Sequence, residues 1–174
     1  MKLIKTQVLV LKKRNLPEKN ILLTLFSKDQ GKINMFGFGI KKITSKRLSS
    51  LQTGNLIEAV VEKKNDNFSL KESKLISAFS GIKKDFKKTK YLYLVLFILD
   101  RLLPENQPEE KVFRSTLNFL INMSKNKISD QELIYFINTI LNQLGYLNSF
   151  LKGPNLFNFI EELIKEKIPS LIKV

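Results

Sequence analysis

The chain has 174 residues, 43% of them hydrophobic, enough to bury a real core as one domain or two small ones. It contains neither cysteine nor histidine, which excludes thiolate or imidazole metal sites and any Cys-His or Ser-His-Asp catalytic group, and nothing in it calls for a cofactor. The net charge of +14 is held unevenly, with 21 Lys/Arg against seven Asp/Glu in residues 1–90 and nine against nine in residues 91–174. A general lysine bias would raise both halves, so the excess in one half points to a surface for a polyanion.

In chain order, Ile4, Thr6, Val8 and Val10 alternate with Lys5, Gln7 and Leu9, predicting a first strand that ends in the basic run Lys12-Lys13-Arg14. Ile21 to Ser27 predicts a second strand. Lys28-Asp29-Gln30-Gly31-Lys32 then supplies a turn with a glycine able to take positive φ, and Ile33 to Phe38 returns as the partner strand, a hairpin with lysines at its tip. Leu56 to Glu62 and Phe68 to Leu75 predict two more strands around the turn Asn65-Asp66-Asn67. About five strands in about 80 residues suit a small antiparallel barrel of the OB type.

The apolar period switches near Phe79-Ser80-Gly81, which places a boundary between a basic barrel domain, residues 1–79, and a helical domain, residues 80–174. The predicted class is therefore α+β, a five-stranded OB-type barrel followed by an all-α domain. Leu92, Val95, Leu96, Leu99, Leu102 and Leu103 recur at helical spacing up to Pro104. Pro108 suits the first turn of the next helix, which carries Val112, Leu117, Leu120 and Ile121. Ser129 and Glu132 have capping-box spacing ahead of a helix that reaches Gly145, a left-handed stop, and a last helix is expected over about Leu156 to Lys167. The N-terminus has no secretory apolar segment, and the longest apolar stretch, Tyr91 to Leu99, is far short of the ~20 residues that span a bilayer, so no membrane partner is expected and a cytoplasmic protein is.

The stretch from Lys32 to Arg47 carries the most chemistry, with alternating aromatics running into a loop rich in Gly, Lys, Ser and Arg. Its five basic residues, Lys32, Lys41, Lys42, Lys46 and Arg47, exceed anything a core requires; with Lys12, Lys13, Arg14 and Lys28 they are the candidate phosphate contacts. Phe36 and Phe38 have two readings: alternate strand residues that fill the barrel, the commoner role in a small barrel, or faces on which unpaired bases stack. No Walker loop occurs, and the seven carboxylates of the basic half are dispersed, so no catalytic cluster is seen and a non-enzymatic protein is expected. Asp100-Arg101 reads as a structural ion pair.

Several segments in the right order resemble one family. These are Thr6-Gln7-Val8-Leu9-Val10-Leu11-Lys12, the run from Asn20 to Lys32, Gly39-Ile40-Lys41-Lys42 leading to Lys46-Arg47, Leu51-Gln52-Thr53-Gly54, Leu75 to Phe79, and Leu141-Asn142-Gln143-Leu144-Gly145-Tyr146. Together they resemble RecO, the bacterial recombination mediator. The resemblance implies an OB domain and a helical domain, binding of single- and double-stranded DNA, annealing of strands coated by single-stranded DNA-binding protein, and work with RecR to load RecA. Many members carry a cysteine-bearing insertion after Leu-Gly-Tyr, whereas here Tyr146 leads through residues 147–154 to the last helix, which implies a short form without it. Some relatives hold the acidic, aromatic tail of single-stranded DNA-binding protein with an arginine just before that motif. Leu133-Ile134-Tyr135-Phe136 offers no cation there, and Arg114, Lys125 and Lys127 are the substitutes to consider for a partner surface. Two other classes compete: an RNA- or ribosome-associated OB protein, since phosphate contact does not distinguish the sugars, and an adaptor whose lysines only keep it in solution.

Overall fold

The computed structural model describes residues 2–17, 21–37, 50–64 and 67–173. Among them are five strands, β1 (Lys2–Asn15), β2 (Ile21–Ser27), β3 (Gly31–Gly37), β4 (Leu56–Lys64) and β5 (Asn67–Ser77), closed into a barrel in the order β1-β2-β3-β5-β4. Closure depends on the length of β1. Its first half pairs antiparallel with β4, from Lys2 opposite Lys63 to Leu9 opposite Leu56, and its second half pairs with β2, from Val8 opposite Ser27 to Asn15 opposite Ile21. The register shifts between Val10 and Lys12, an irregularity of the kind that bends a strand enough to serve two sheet edges. The remaining seam, β3 with β5, is parallel and rests on the pair Met35 and Phe68.

Val8, Val10, Leu23, Leu25, Ile33, Ile57 and Val61 fill the interior as strand alternation requires. The β2–β3 turn is tied to β1 by side chains: Thr6 Oγ1 donates to Asp29 Oδ2 at 2.7 Å, and the buried Ser27 Oγ accepts from the Gln30 amide at 3.1 Å. Gly31 has φ +71, and a Cβ there would lie 1.9 Å from the Gln107 carbonyl oxygen. Glycine is thus required twice, by the turn and by the close passage of a later segment.

The chain divides into two compact units, residues 1–78 with 104–110, and residues 79–103 with 111–174. The strap Pro104 to Glu110, which lies within the span 80–174, belongs with the barrel, where the Asn106 amide donates to the Lys32 carbonyl at 2.9 Å and Glu105 bridges Lys32. Pro108 lies in this strap and not in a helical first turn, because the backbone here bonds to β3 and the next helix begins at Glu110.

The helices are α1 (Ser80–Lys83), α2 (Phe86–Leu102), α3 (Glu110–Lys125), α4 (Asp130–Gln143) and α5 (Gly153–Ile164). α2 is buried on most of its circumference, through Tyr91, Leu94, Val95, Ile98 and Leu99, as the central member of a helical unit must be. It is capped by Asp85 and ends at the extended Leu103 before Pro104. Asp130, at the start of α4, accepts hydrogen bonds from the Tyr91 hydroxyl and from Lys87. The capping box of Ser129 and Glu132 and the left-handed Gly145 are both present. α5 begins earlier than its apolar pattern suggests, since Pro154 suits its first turn, and ends at Ile164 because Lys165 turns left-handed at φ +54. Asp100 and Arg101 pair at 2.5 Å, with Glu166 on the same guanidinium at 2.7 Å.

Candidate nucleic-acid interface

Residues directly opposite in an antiparallel ladder share a face, so the register assigns the basic run. Arg14 lies opposite Leu22, which lies opposite Phe36; Lys12 lies opposite Thr24, which lies opposite Asn34. Both rows are on the outer face of β1–β2–β3. Lys13 alternates to the other side, in the row of the buried Leu23 and Met35. Arg14 is exposed, Lys12 half-buried, and Phe36 keeps 52% of its surface in solvent. The commoner role for Phe36, barrel filling, is thereby overturned: Ile33 and Met35 take the interior positions of β3.

The second row is held in place by Thr24 Oγ1, which donates to Asn34 Oδ1 at 2.8 Å, and by Asn34 Nδ2, which donates to Glu105 Oε1 at 2.9 Å. β2 and β3 themselves contain no carboxylate. On the outer face of β1–β4–β5, Lys5 pairs with Glu58 at 3.1 Å and Lys71 with Glu62 at 2.8 Å. The Lys71 hydrogen bond holds the Glu62 carboxyl below the usual carboxylate range, with Ser69 adding to it. Among the described residues, cationic and aromatic side chains without strand carboxylates therefore meet on one face.

The remaining candidates are dispersed. Lys28 is exposed in the β2–β3 turn, six residues along β2 from Leu22 and so about 20 Å away by strand rise. Lys32 is only 9% exposed beneath the strap. Phe38, Lys41, Lys42, Lys46 and Arg47 lie outside the described residues. Sequence reasoning missed a cavity of about 560 Å³ that opens beside Phe36, lined also by Asn34, Glu62, Lys64, Asn67 and Glu105. The one available signal was the pair Lys63-Lys64 flanking the β4–β5 turn; Lys63 Nζ sits 5.4 Å from the centroid of the Phe68 ring.

In the helical unit, a second concavity of about 940 Å³ is lined by Phe119, Phe136, Tyr135, Phe150 and Lys152, among others. The Phe119 and Phe136 rings stack with centroids 4.1 Å apart, and Tyr135 and Phe150 are exposed. Arg114, Lys125 and Lys127 are exposed but do not line it, whereas Lys152, unmarked by any motif, does. Among the described residues no group of three His, Cys, Asp or Glu could hold a metal ion, and no helix is long and apolar enough to cross a membrane.

Two family models match the chain in order: Recombination protein O N terminal over residues 1–79 and Recombination protein O C terminal over residues 83–150. Among curated proteins, the DNA repair protein RecO of Acetivibrio thermocellus is 28% identical over 147 residues, covering 84% of this chain and 59% of that protein. Its namesake from Caldicellulosiruptor bescii is 31% identical over 134 residues, 77% of this chain and 54% of the relative. That of Thermodesulfovibrio yellowstonii is 27% identical over 146 residues, 83% and 58% respectively. The chain spans a little over half the length of the curated relatives it matches. An OB-type barrel followed by helices, each half matched by its own model of one family, places the chain in the RecO family of DNA repair proteins.

Proposed function

We propose that the chain binds single-stranded DNA across the outer β1–β2–β3 face and anneals complementary strands during recombinational repair, without bond chemistry of its own. The row of Arg14, Leu22 and Phe36 carries this reading: an exposed cation for phosphate beside an exposed ring for an unpaired base, on strands free of carboxylates. Annealing needs phosphate repulsion offset without base-specific contacts that would restrict the sequences joined, and a basic face does that. Duplex DNA is a second ligand on the same electrostatic grounds. In this reading the helical unit serves partners, with the acidic, aromatic tail of single-stranded DNA-binding protein entering the groove of Tyr135, Phe150 and Lys152, while RecR docks elsewhere and RecA loading follows.

The test is binding of a fluorescent single-stranded oligonucleotide against salt, with annealing followed in the same samples. Wild type is compared with Lys12/Arg14→Ala and with Lys41/Lys42/Lys46/Arg47→Ala. Each phosphate contact contributes about −0.7 to the log-log slope on single strands, so a loss of about 1.4 is expected for the first variant and up to about 2.8 for the second, with slower annealing in both. Unchanged slopes in both variants would rule out both sets of residues as the site. Tighter binding of RNA than of DNA would favour an RNA-associated role, and failure of the wild type to bind any polyanion would leave an adaptor.

A further inference from the structure

The excess positive charge does not stop at the barrel. Residues 80–90, which open the helical unit, carry five lysines against one acid, while residues 91–174 balance. The one acid, Asp85, is committed to the fold, since its carboxylate caps α2 by accepting from the Lys88 amide at 3.0 Å. Lys87 is held by Asp130 at 2.9 Å, but the side chains of Lys84, Lys88 and Lys90 make no ion pair among the described residues.

Helical period decides what stands beside these lysines. Positions i, i+4, i+7 and i+11 share one stripe, which on α2 is Phe86, Lys90, Tyr93 and Phe97. The rest of α2 is mostly buried, so this stripe is its solvent side: Phe86 is 83% exposed and Tyr93 45%. By helix rise the two rings stand about 10 Å apart along the axis. Farther on, the Arg101 guanidinium lies 4.9 Å from the centroid of the Phe97 ring and is bound to Asp100 and Glu166, which ends the open cationic stretch. One exposed ring on a surface calls for no account. Two rings aligned with a lysine between them, beside lysines that no acid neutralises, combine cations for phosphate with flat faces for unpaired bases.

We infer that the Phe86, Lys90 and Tyr93 stripe, with Lys84 and Lys88, is a second single-strand DNA site, so that one chain holds one strand on its barrel and another on its helical unit. The inference rests on the single-strand reading of the barrel face and extends it. Stacking on Phe86 and Tyr93 is indifferent to base identity, as the annealing of arbitrary complements requires. Two strands held by one chain pair within a single complex, and no longer only by chance encounter.

The experiment counts strands per chain. The full chain is titrated at low salt with a fluorescent oligothymidylate of about 8 nucleotides, within the span of one OB face, and the complex is sized by sedimentation. Wild type should take two strands. Phe86→Ala/Tyr93→Ala, which keeps every charge, should weaken one of the two binding events by roughly tenfold or more and leave the other unchanged. Lys84/Lys88/Lys90→Ala should lower the log-log salt slope of that same event by about 2.1, at about 0.7 per phosphate contact. One strand per wild-type chain overturns the inference and leaves the barrel reading intact, as do two strands whose affinities the paired ring variant does not change. Failure of the wild type to bind any strand removes both. The wild-type count needs no variant, so a misfolded variant does not blunt the test.

Discussion

Phe36 leaves half of its ring surface in water although a barrel interior lies one pleat away. Successive strand side chains alternate faces, so its orientation is set by the pairing that puts it opposite Leu22 and puts Met35 opposite Leu23. Phe36→Ala should weaken single-strand binding by roughly 5- to 150-fold, the effect of about 1–3 kcal/mol for one stacked base. Its melting temperature should stay within about 2 °C of wild type, since little packing is lost. A binding titration with a thermal scan checks both, and a large fall in melting temperature would mark the ring as structural. Glu161 shows the opposite kind of residue, a buried carboxylate committed to the fold. Lys167 at 2.6 Å and Lys173 at 2.8 Å, with the Ile168 amide, hold its carboxyl down at about 2. A carboxyl depressed in the folded state adds stability above its ordinary value near 4.5 and loses it as pH falls from there toward 2. Glu161→Gln should therefore melt below wild type at pH 7, and the gap should close as pH is lowered through that window. A gap independent of pH would mean that the ion pairs are not its cause.

At the scale of elements, the connections carry as much information as the strands and helices. Asn138, buried on α4, donates to the Ile134 and Leu151 carbonyls at 2.9 and 3.0 Å and accepts from the Leu151 amide at 2.9 Å; one turn later Asn142 donates to the Leu147 carbonyl. Together they satisfy the backbone of the short link between α4 and α5. Asn138→Ala leaves the Leu151 groups unpaired and should cost about 1–3 kcal/mol, measured as a shift of the urea midpoint with an unchanged slope. Gly31→Ala should cost more, because it combines a left-handed backbone with an impossible approach to Gln107. The two positions were not equally legible. Gly31 reads as a turn glycine from its neighbours, but its passage against Gln107 joins residues 76 apart and leaves no local pattern. Asn138 sits in a helical run whose apolar spacing is plain, yet nothing in the sequence says that its amide holds Leu151. Alternation and helical period are local properties and were readable. The strap, Pro104 to Glu110, was misplaced because its partner, Lys32, is distant in sequence.

For the molecule as a whole, the division of charge was the most legible feature, since it needs only counting, while the cavity beside Phe36 was the least, since Asn34, Glu62, Lys64 and Glu105 meet only once the barrel closes. The net charge of +14 also sets how such a protein should anneal DNA. Two bare strands repel, so chains that neutralise phosphates speed their encounter; beyond neutrality each strand becomes a net cation, and repulsion returns. With one charge per nucleotide, neutrality falls near one chain per about 14 nucleotides, so the annealing rate should rise and then fall around that ratio. The Lys12/Lys13/Arg14→Ala variant has three fewer positive charges, so its optimum should move to about 11 nucleotides per chain. Annealing of complementary strands labelled for energy transfer, titrated with protein at low salt, measures the optimum directly. A rate that climbs to a plateau in both proteins would show that annealing depends on contacts at particular sites, and the charge of the whole chain would then govern only how often strand and protein meet.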